Sequence, residues 1–272
     1  MTDTYGDWVG RTEEAEDCVT PRQALQLAAT LEAARPVAAG DPLPPLWHWI
    51  GWTPETPMSG MDRDGHPARG GFLPPVPLER RMWAGGRLEF LAPLHVGETM
   101  RRRSTILKVA EKAGSTGRMV FVTVGHEVHG AAGLAIREEQ DIVYVAIPET
   151  YVPPTPVAAE APDWQETVAI DTVRLFRFSA VTFNAHRIHF DLPYATEVER
   201  YPGLVVHGPL QAMLLMQAAL ARKHTLPQSY RFRGVRPAFL HDRLRLQGAG
   251  NRLCTVTEDG WVCMQAEIGW AA

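Results

Sequence analysis

Residues 201–223, YPGLVVHGPLQAMLLMQAALARK, set the frame for reading this chain. From Leu210 to Lys223 the run is apolar on nearly every side. A helix of that kind belongs inside a fold rather than on its surface. Gly208-Pro209 stand at its start, where proline is tolerated because the first helical N–H has no partner to lose. Upstream lies Ser179–Asp191, SAVTFNAHRIHFD, a polar turn that gathers two histidines, an asparagine, an arginine and an aspartate. Before it, Trp164–Arg177 reads as a strand on Val168, Ile170, Val173 and Leu175. Downstream, Tyr230–Val235, Arg243–Ala249 and Gly260–Ile268 read as three more strands.

The stretch Tyr151–Pro162, YVPPTPVAAEAP, carries four prolines and suits an extended connector. The part before it has a similar layout, helix early and sheet late. Pro21–Ala34 has a helical pattern, with Thr20 as cap and Pro21 in the first helical position. An irregular stretch from Arg35 to Gly86 follows, rich in Pro and Gly, and a connection that long is functional or a cover over apolar surface. Arg87–Leu94, Thr99–Lys108, Arg118–His129 and Gln140–Ile147 then read as strands. A local echo links the halves: Arg87-Leu-Glu-Phe-Leu-Ala-Pro-Leu-His95 has the pattern of Arg231-Phe-Arg-Gly-Val-Arg-Pro-Ala-Phe-Leu-His241.

Composition narrows the function classes. The 272 residues suit one large domain or two small ones. With 27 Lys+Arg against 31 Asp+Glu there is no basic excess to suggest nucleic-acid binding. The 3 cysteines, Cys18, Cys254 and Cys263, are too few and too scattered for a disulfide framework or a zinc ribbon. The acidic start, MTDTYGDWVGRTEEAEDCVT, reads as neither a secretory nor a transit signal. No run is apolar enough to span a membrane. A cytoplasmic protein is expected.

The chemistry concentrates in Ser179–Asp191 and His207-Gly208. A histidine exchanges protons near neutral pH. An amide can hold water or orient a ring, and a free N–H at a helix start can stabilise charge on a carbonyl oxygen. Base, positioner and oxyanion donor suit chemistry beside a thioester carbonyl.

The run Phe176–Ala195, FRFSAVTFNAHRIHFDLPYA, followed by Tyr201–Leu210, resembles the MaoC-like hydratase/dehydratase family. It is most similar to the two-hotdog branch of type 2 hydroxyacyl-thioester dehydratases and of mesaconyl-C4-CoA (3-methylfumaryl-CoA) and itaconyl-CoA hydratases. Pro74–Gly86, PPVPLERRMWAGG, matches more loosely. The resemblance implies an α+β double hotdog, two curved antiparallel sheets each wrapped round a central helix. Residues 1–150 would form a non-catalytic N-terminal hotdog, 151–162 the linker, and 163–272 the hotdog with the active site. It implies reversible addition of water to a 2-enoyl-CoA, with His189, Asn184 and Gly208 as catalytic residues. Asn184 stands where the wider family has aspartate, and an amide cannot exchange a proton as a carboxyl group can. His186, Arg187 and Asp191 are candidates to support an imidazole or meet substrate. Arg187 tilts the reading toward a short dicarboxylyl-CoA such as mesaconyl-C4-CoA. No metal, cofactor, nucleic-acid or membrane partner is expected, and a homodimer or higher homo-oligomer is.

Other readings stand beside this one. His186, His189 and Asp191 are metal-ligand types, but their spacing is not a zinc signature. His126-Glu-Val-His129 lacks the metalloprotease spacing, and on a strand its two histidines point to opposite faces. Arg101-Arg-Arg103 reads as a solvated strand end, Trp47, Trp49 and Trp52 as core cover, and Cys254 and Cys263 as inert buried thiols. Within enzymes, a 3-hydroxyacyl-thioester dehydratase of fatty-acid or polyketide synthesis and a thioesterase are the alternatives. Outside them, the amide at position 184 keeps open a non-catalytic acyl-CoA-binding subunit.

Overall fold

A computed structural model describes residues 5–34, 37–114, 117–223 and 225–271. Residues 1–4 of the acidic start and 35–36 at the head of the long loop lie outside them. In chain order the elements are β1 (Thr12–Asp17), α1 (Pro21–Leu31), β2 (Arg80–Phe90), β3 (Met100–Gly114), β4 (Gly117–Gly130) and β5 (Gly133–Val145). Then come β6 (Trp164–Thr167), α2 (Thr172–Val181), α3 (Gly208–Lys223), β7 (Pro227–Gly234), β8 (Arg245–Ala249), β9 (Arg252–Val256) and β10 (Val262–Trp270).

The strands form one antiparallel sheet in the order β1-β3-β4-β5-β2-β7-β10-β9-β8-β6. Read inward from either edge, the order repeats: 1-3-4-5-2 in one half, 6-8-9-10-7 in the other. The halves meet where β2 pairs with β7, and Arg87 lies directly opposite Arg231. Those arginines head the two echoed stretches. Glycine is needed at this seam: a Cβ on Gly85 would fall 2.6 Å from the Phe232 carbonyl oxygen. The architecture is the double hotdog that the sequence led us to expect.

Local chemistry accounts for the helices. Thr20 Oγ1 accepts from Gln23 N, and the Gln23 side chain accepts from Thr20 N, a reciprocal cap that starts α1. α1 ends at Leu31, three residues short of Ala34, because Glu32 turns left-handed at φ 55°. α3 buries nine of its residues, as an all-round apolar helix must, and packs on β8, β9 and β10. One apolar core runs through both halves, from Leu27 and Leu31 to Phe178, Leu210 and Leu215.

Three readings are corrected or completed. Trp164–Arg177 is a strand only as far as Thr167; α2 begins at Thr172. Asp171 caps it by accepting from Arg174 N at 2.7 Å, and Leu175, Phe178 and Ser179 form the buried helical stripe. β1 went unread because TEEAED has no apolar alternation. It is an edge strand paired with β3, and its Glu14 faces Arg101 and Arg103. Arg102 points the other way and stacks on Trp52 at 4.9 Å. β9 was also missed, a short central strand between β10 and β8.

The halves differ in where they carry extra chain. Between α1 and β2 run residues 32–79; between α3 and β7, only 224–226. Conversely, β1 reaches α1 through 18–20, whereas 168–207, including α2, separate β6 from α3. These two insertions pack against each other. Among the described residues no helix is long and apolar enough to cross a membrane.

Candidate active site

α2 ends at Val181, and the chain reverses through Phe183, which adopts φ 49°. Asn184 Oδ1 then accepts from His186 N at 2.9 Å, closing a turn that aims the next residues inward. A 3-10 turn over Arg187–His189 follows. It is bonded to the segment leading into α3: Val205 N donates to Ile188 O at 2.9 Å, and His189 Nδ1 donates to Val205 O at 2.8 Å. His189 is thereby tied to Val205, which stands three residues ahead of Gly208, the first residue of α3. With its proton on Nδ1, neutral His189 presents a lone pair at Nε2.

His189 is 7% exposed, and burial pushes its pKa down to about 4, so it is a neutral base at pH 7. It stacks on His207 with ring centres 3.6 Å apart. His207 is fully buried, and its Nε2 bonds Ser179 Oγ at 2.9 Å. Burial, with the neighbouring His189 and His186, holds its pKa well below the ordinary range. The ring of His186 meets His189 edge-on at 5.4 Å, and its Nε2 is buried with no hydrogen-bond partner. Burial also keeps His186 neutral.

Gly208 sits at the free end of α3, where the first N–H groups have no intrahelical acceptor. A Cβ there would lie 3.9 Å from the carbonyl oxygen of Trp83 on β2. Trp83 packs edge-on against Trp49 at 4.8 Å, and the two share with Thr182 the wall of a 130 Å³ cavity. Trp52 joins that wall, whereas Trp47 is core. Arg187 and Asp191 bond to each other: Asp191 Oδ2 accepts from Arg187 Nε at 2.9 Å and Nη2 at 2.8 Å. Asp191 Oδ1 accepts from Tyr194 N, and Arg187 stacks on Tyr194. Neither bonds an imidazole.

The sequence reading missed two residues here. A tight turn in the long loop of the first half, bridged between Met61 and Pro67, presses against 184–187. Arg187 N donates to Asp64 O at 2.9 Å, and a Cβ on Gly65 would fall 1.8 Å from Ala185 O. The turn sets His66 against His186, ring centres 4.2 Å apart. Asp64 is 3% exposed; its carboxylate accepts from both His66 N and His66 Nδ1 at 2.9 Å. Burial opposes its charge, but the bonds and charge of His66 outweigh that and hold its pKa well below the usual carboxylate range. Asp64, His66 and His186 each bring a donor atom within 4.8 Å of the others. Asp191, which the sequence reading grouped with His186 and His189, is not in that cluster. The only available signal was an Asp-Gly-His spacing inside a Pro- and Gly-rich loop.

The site thus joins an asparagine turn, a neutral histidine bonded to Val205 and the glycine that opens α3. The family model described as hydroxyacyl-thioester dehydratase type 2 matches residues 46–240. The chain belongs to the type 2 hydroxyacyl-thioester dehydratase family. A mesaconyl-C(4)-CoA hydratase of Chloroflexus aurantiacus is 50% identical over 240 residues, 85% of this chain and 84% of that protein. Among solved structures, a MaoC-like dehydratase superposes with TM-score 0.70 at 12% identity, over 97% of this chain and 99% of the other. A Mycobacterium tuberculosis protein described as a double hotdog superposes with TM-score 0.58 at 11% identity, over 96% of each chain. The match to the type 2 dehydratase family takes in 46–79 of the first insertion and all of the second. This chain is therefore a hydro-lyase of the MaoC-like, two-hotdog kind.

Proposed function

We propose that the chain adds water to the double bond of mesaconyl-C4-CoA, a 2-enoyl-CoA with a free carboxylate. The 50% identity to a mesaconyl-C(4)-CoA hydratase over most of both chains supports that substrate. His189 Nε2 takes a proton from water, whose oxygen attacks Cβ. The π electrons move onto the thioester oxygen, where the Gly208 N–H meets the charge. Protonation at Cα completes the addition. Asn184 shapes the turn that presents His189. The observation that carries this reading is the Val205 hydrogen bond, which fixes the lone pair of a neutral imidazole on Nε2.

The second reading is dehydration of a 3-hydroxyacyl thioester, the same chemistry reversed, and it is supported by the family's own description. We also propose 151–162 as the joint between two hotdogs spanning 1–150 and 163–272, because the strand order repeats on either side of it. Within this reading the protein works in the cytoplasm as a homo-oligomer.

The test is turnover of mesaconyl-C4-CoA, crotonyl-CoA and a 3-hydroxyacyl-CoA, following enoyl absorbance and free thiol together. Loss of absorbance without thiol release is expected, and His189→Ala should lower kcat by about 10²–10⁴-fold. Thiol release would make the chain a thioesterase. Tight binding of all three esters without turnover would make it a binding subunit. A His189→Ala variant with near-normal rates would end the assignment of the base.

A further inference from the structure

Hydration needs two proton transfers, one from water and one to Cα. His189 accounts for the first. The second half offers little for the second. The Asn184 amide does not exchange protons, and its oxygen is occupied by His186 N. Asp191 is held by Arg187. His207 is fully buried on Ser179, and His186 is a buried neutral ring with no partner at Nε2. The first half brings in a different kind of group. His66 remains 24% exposed at its side chain, reaches the row of imidazoles through His186, and rests on a buried carboxylate. Asp64 fixes Nδ1 of His66 as a donor, which leaves Nε2 to exchange protons. It also balances the positive charge when Nε2 carries one.

We propose that His66 is the proton donor to Cα and that Asp64 is its positioning residue, so that the active site is shared between the two halves. The inference rests on the hydro-lyase reading above. In the hydration direction, His189 Nε2 accepts H⁺ from water as the water oxygen bonds Cβ. The Cα=Cβ π pair shifts to give the enolate. The enolate collapses and its Cα–H bond forms with the proton from His66 Nε2. His189 is left with one extra proton and His66 one short, and exchange with solvent restores both. In dehydration, neutral His66 removes the Cα proton, and His189, first protonated at Nε2 from solvent, gives that proton to the departing hydroxyl. The clamp supports this assignment. Gly65 at φ +88° leaves no room for a Cβ against Ala185, so the turn and the catalytic segment are held in one register.

The experiment compares wild type, His66→Gln and Asp64→Asn in dehydration of the hydroxyacyl-CoA product, with hydrogen or deuterium at Cα. Melting temperatures are recorded for each. For His66→Gln the expected result is a fall in kcat of about 10²-fold or more, with KM changed less than about threefold. The deuterium isotope effect on kcat should rise toward a full primary value, because Cα–H cleavage becomes limiting. Asp64→Asn, which keeps the shape of the turn, should move the isotope effect the same way with a fall of about tenfold. It carries the test if His66→Gln does not fold. An unchanged isotope effect in folded variants overturns the proposal and leaves the turn a structural prop. Loss of wild-type activity on chelation, restored by a divalent cation, overturns it in favour of a cation held by Asp64, His66 and His186. A wild type that turns over normally beside an equally active His66→Gln refutes this inference alone. A wild type inert toward every enoyl- and hydroxyacyl-CoA refutes the hydro-lyase reading as well.

Discussion

At His189, burial and one backbone hydrogen bond decide which atom can take a proton and when. Its pKa near 4 means that the base should stay competent from neutral pH downward and be lost only as the pH drops through about 4. A pH–kcat/KM profile checks this, and a falling limb near 6.5 would contradict it. The same burial has a thermodynamic price. His126 and His189 have pKa values near 4, and His186 and His207 are also held below the ordinary imidazole value of about 6.5. Between about 6.5 and 4 the unfolded chain therefore binds protons that the folded chain refuses, and stability falls as the pH falls through that window. Asp64 adds a further loss at still lower pH, where its carboxylate is forced to protonate. Urea midpoints measured across this range should decline steadily toward acid. Asn184 and His189 stand out as candidates because they sit in one short run of unusual composition, and Gly208 because it opens an apolar helix. Asp64 and His66 do not, since a loop residue's neighbours are set by tertiary packing rather than by any period in the chain.

Among the elements, those with strong local chemistry were read well. Thr20-Pro21 announce α1, and the apolar stretch after Gly208 announces α3. α2 was misread because a short mixed run such as Thr172–Val181 satisfies strand and helix patterns alike, and Asp171 as cap decides between them. β1 was invisible because an edge strand facing solvent needs charge partners on β3, not buried apolar residues. The turn at 61–67 is open to disruption by a single substitution. Gly65→Ala meets both a left-handed backbone and a carbonyl 1.8 Å away, so the turn must move off Ala185. We expect kcat to fall by at least about tenfold with the sheet intact, readable as lost turnover with an unchanged far-ultraviolet spectrum. Normal turnover would show that the turn's register does not matter to the chemistry.

For the whole molecule, one sheet and one core cluster run through both halves. A buried ion pair ties them together beyond the seam. Arg80 of β2 is 8% exposed and donates through Nε to Glu199 Oε2 at 2.7 Å, and Glu199 is 1% exposed. Arg80 also donates to the Glu199 carbonyl and stacks on Tyr201 at 4.1 Å. Arg80→Ala would strand a buried carboxylate, with an expected cost of about 3–5 kcal/mol. Calorimetry should show one transition at lower temperature; two separated transitions would mean that the halves unfold independently. The hotdog layout itself was implied by the family resemblance, while the helix-then-sheet order showed only that the two halves share a plan. The interlock of the two insertions was not legible, because it depends on contacts between residues more than a hundred positions apart.

The seam at Arg87 and Arg231 has a bearing on inheritance. Two identical subunits joined at such an axis must repeat every change on both sides, so a turn and its receiving segment could never specialise apart. With both halves on one polypeptide, a mutation is made once. The loop after α1 is free to become a donor arm and the segment before α3 a receiving cradle, and neither fold has to tolerate the other's insertion. The arithmetic of occupancy changes with it. A tight-binding inhibitor should titrate one equivalent per 30.2 kDa chain, not one per half.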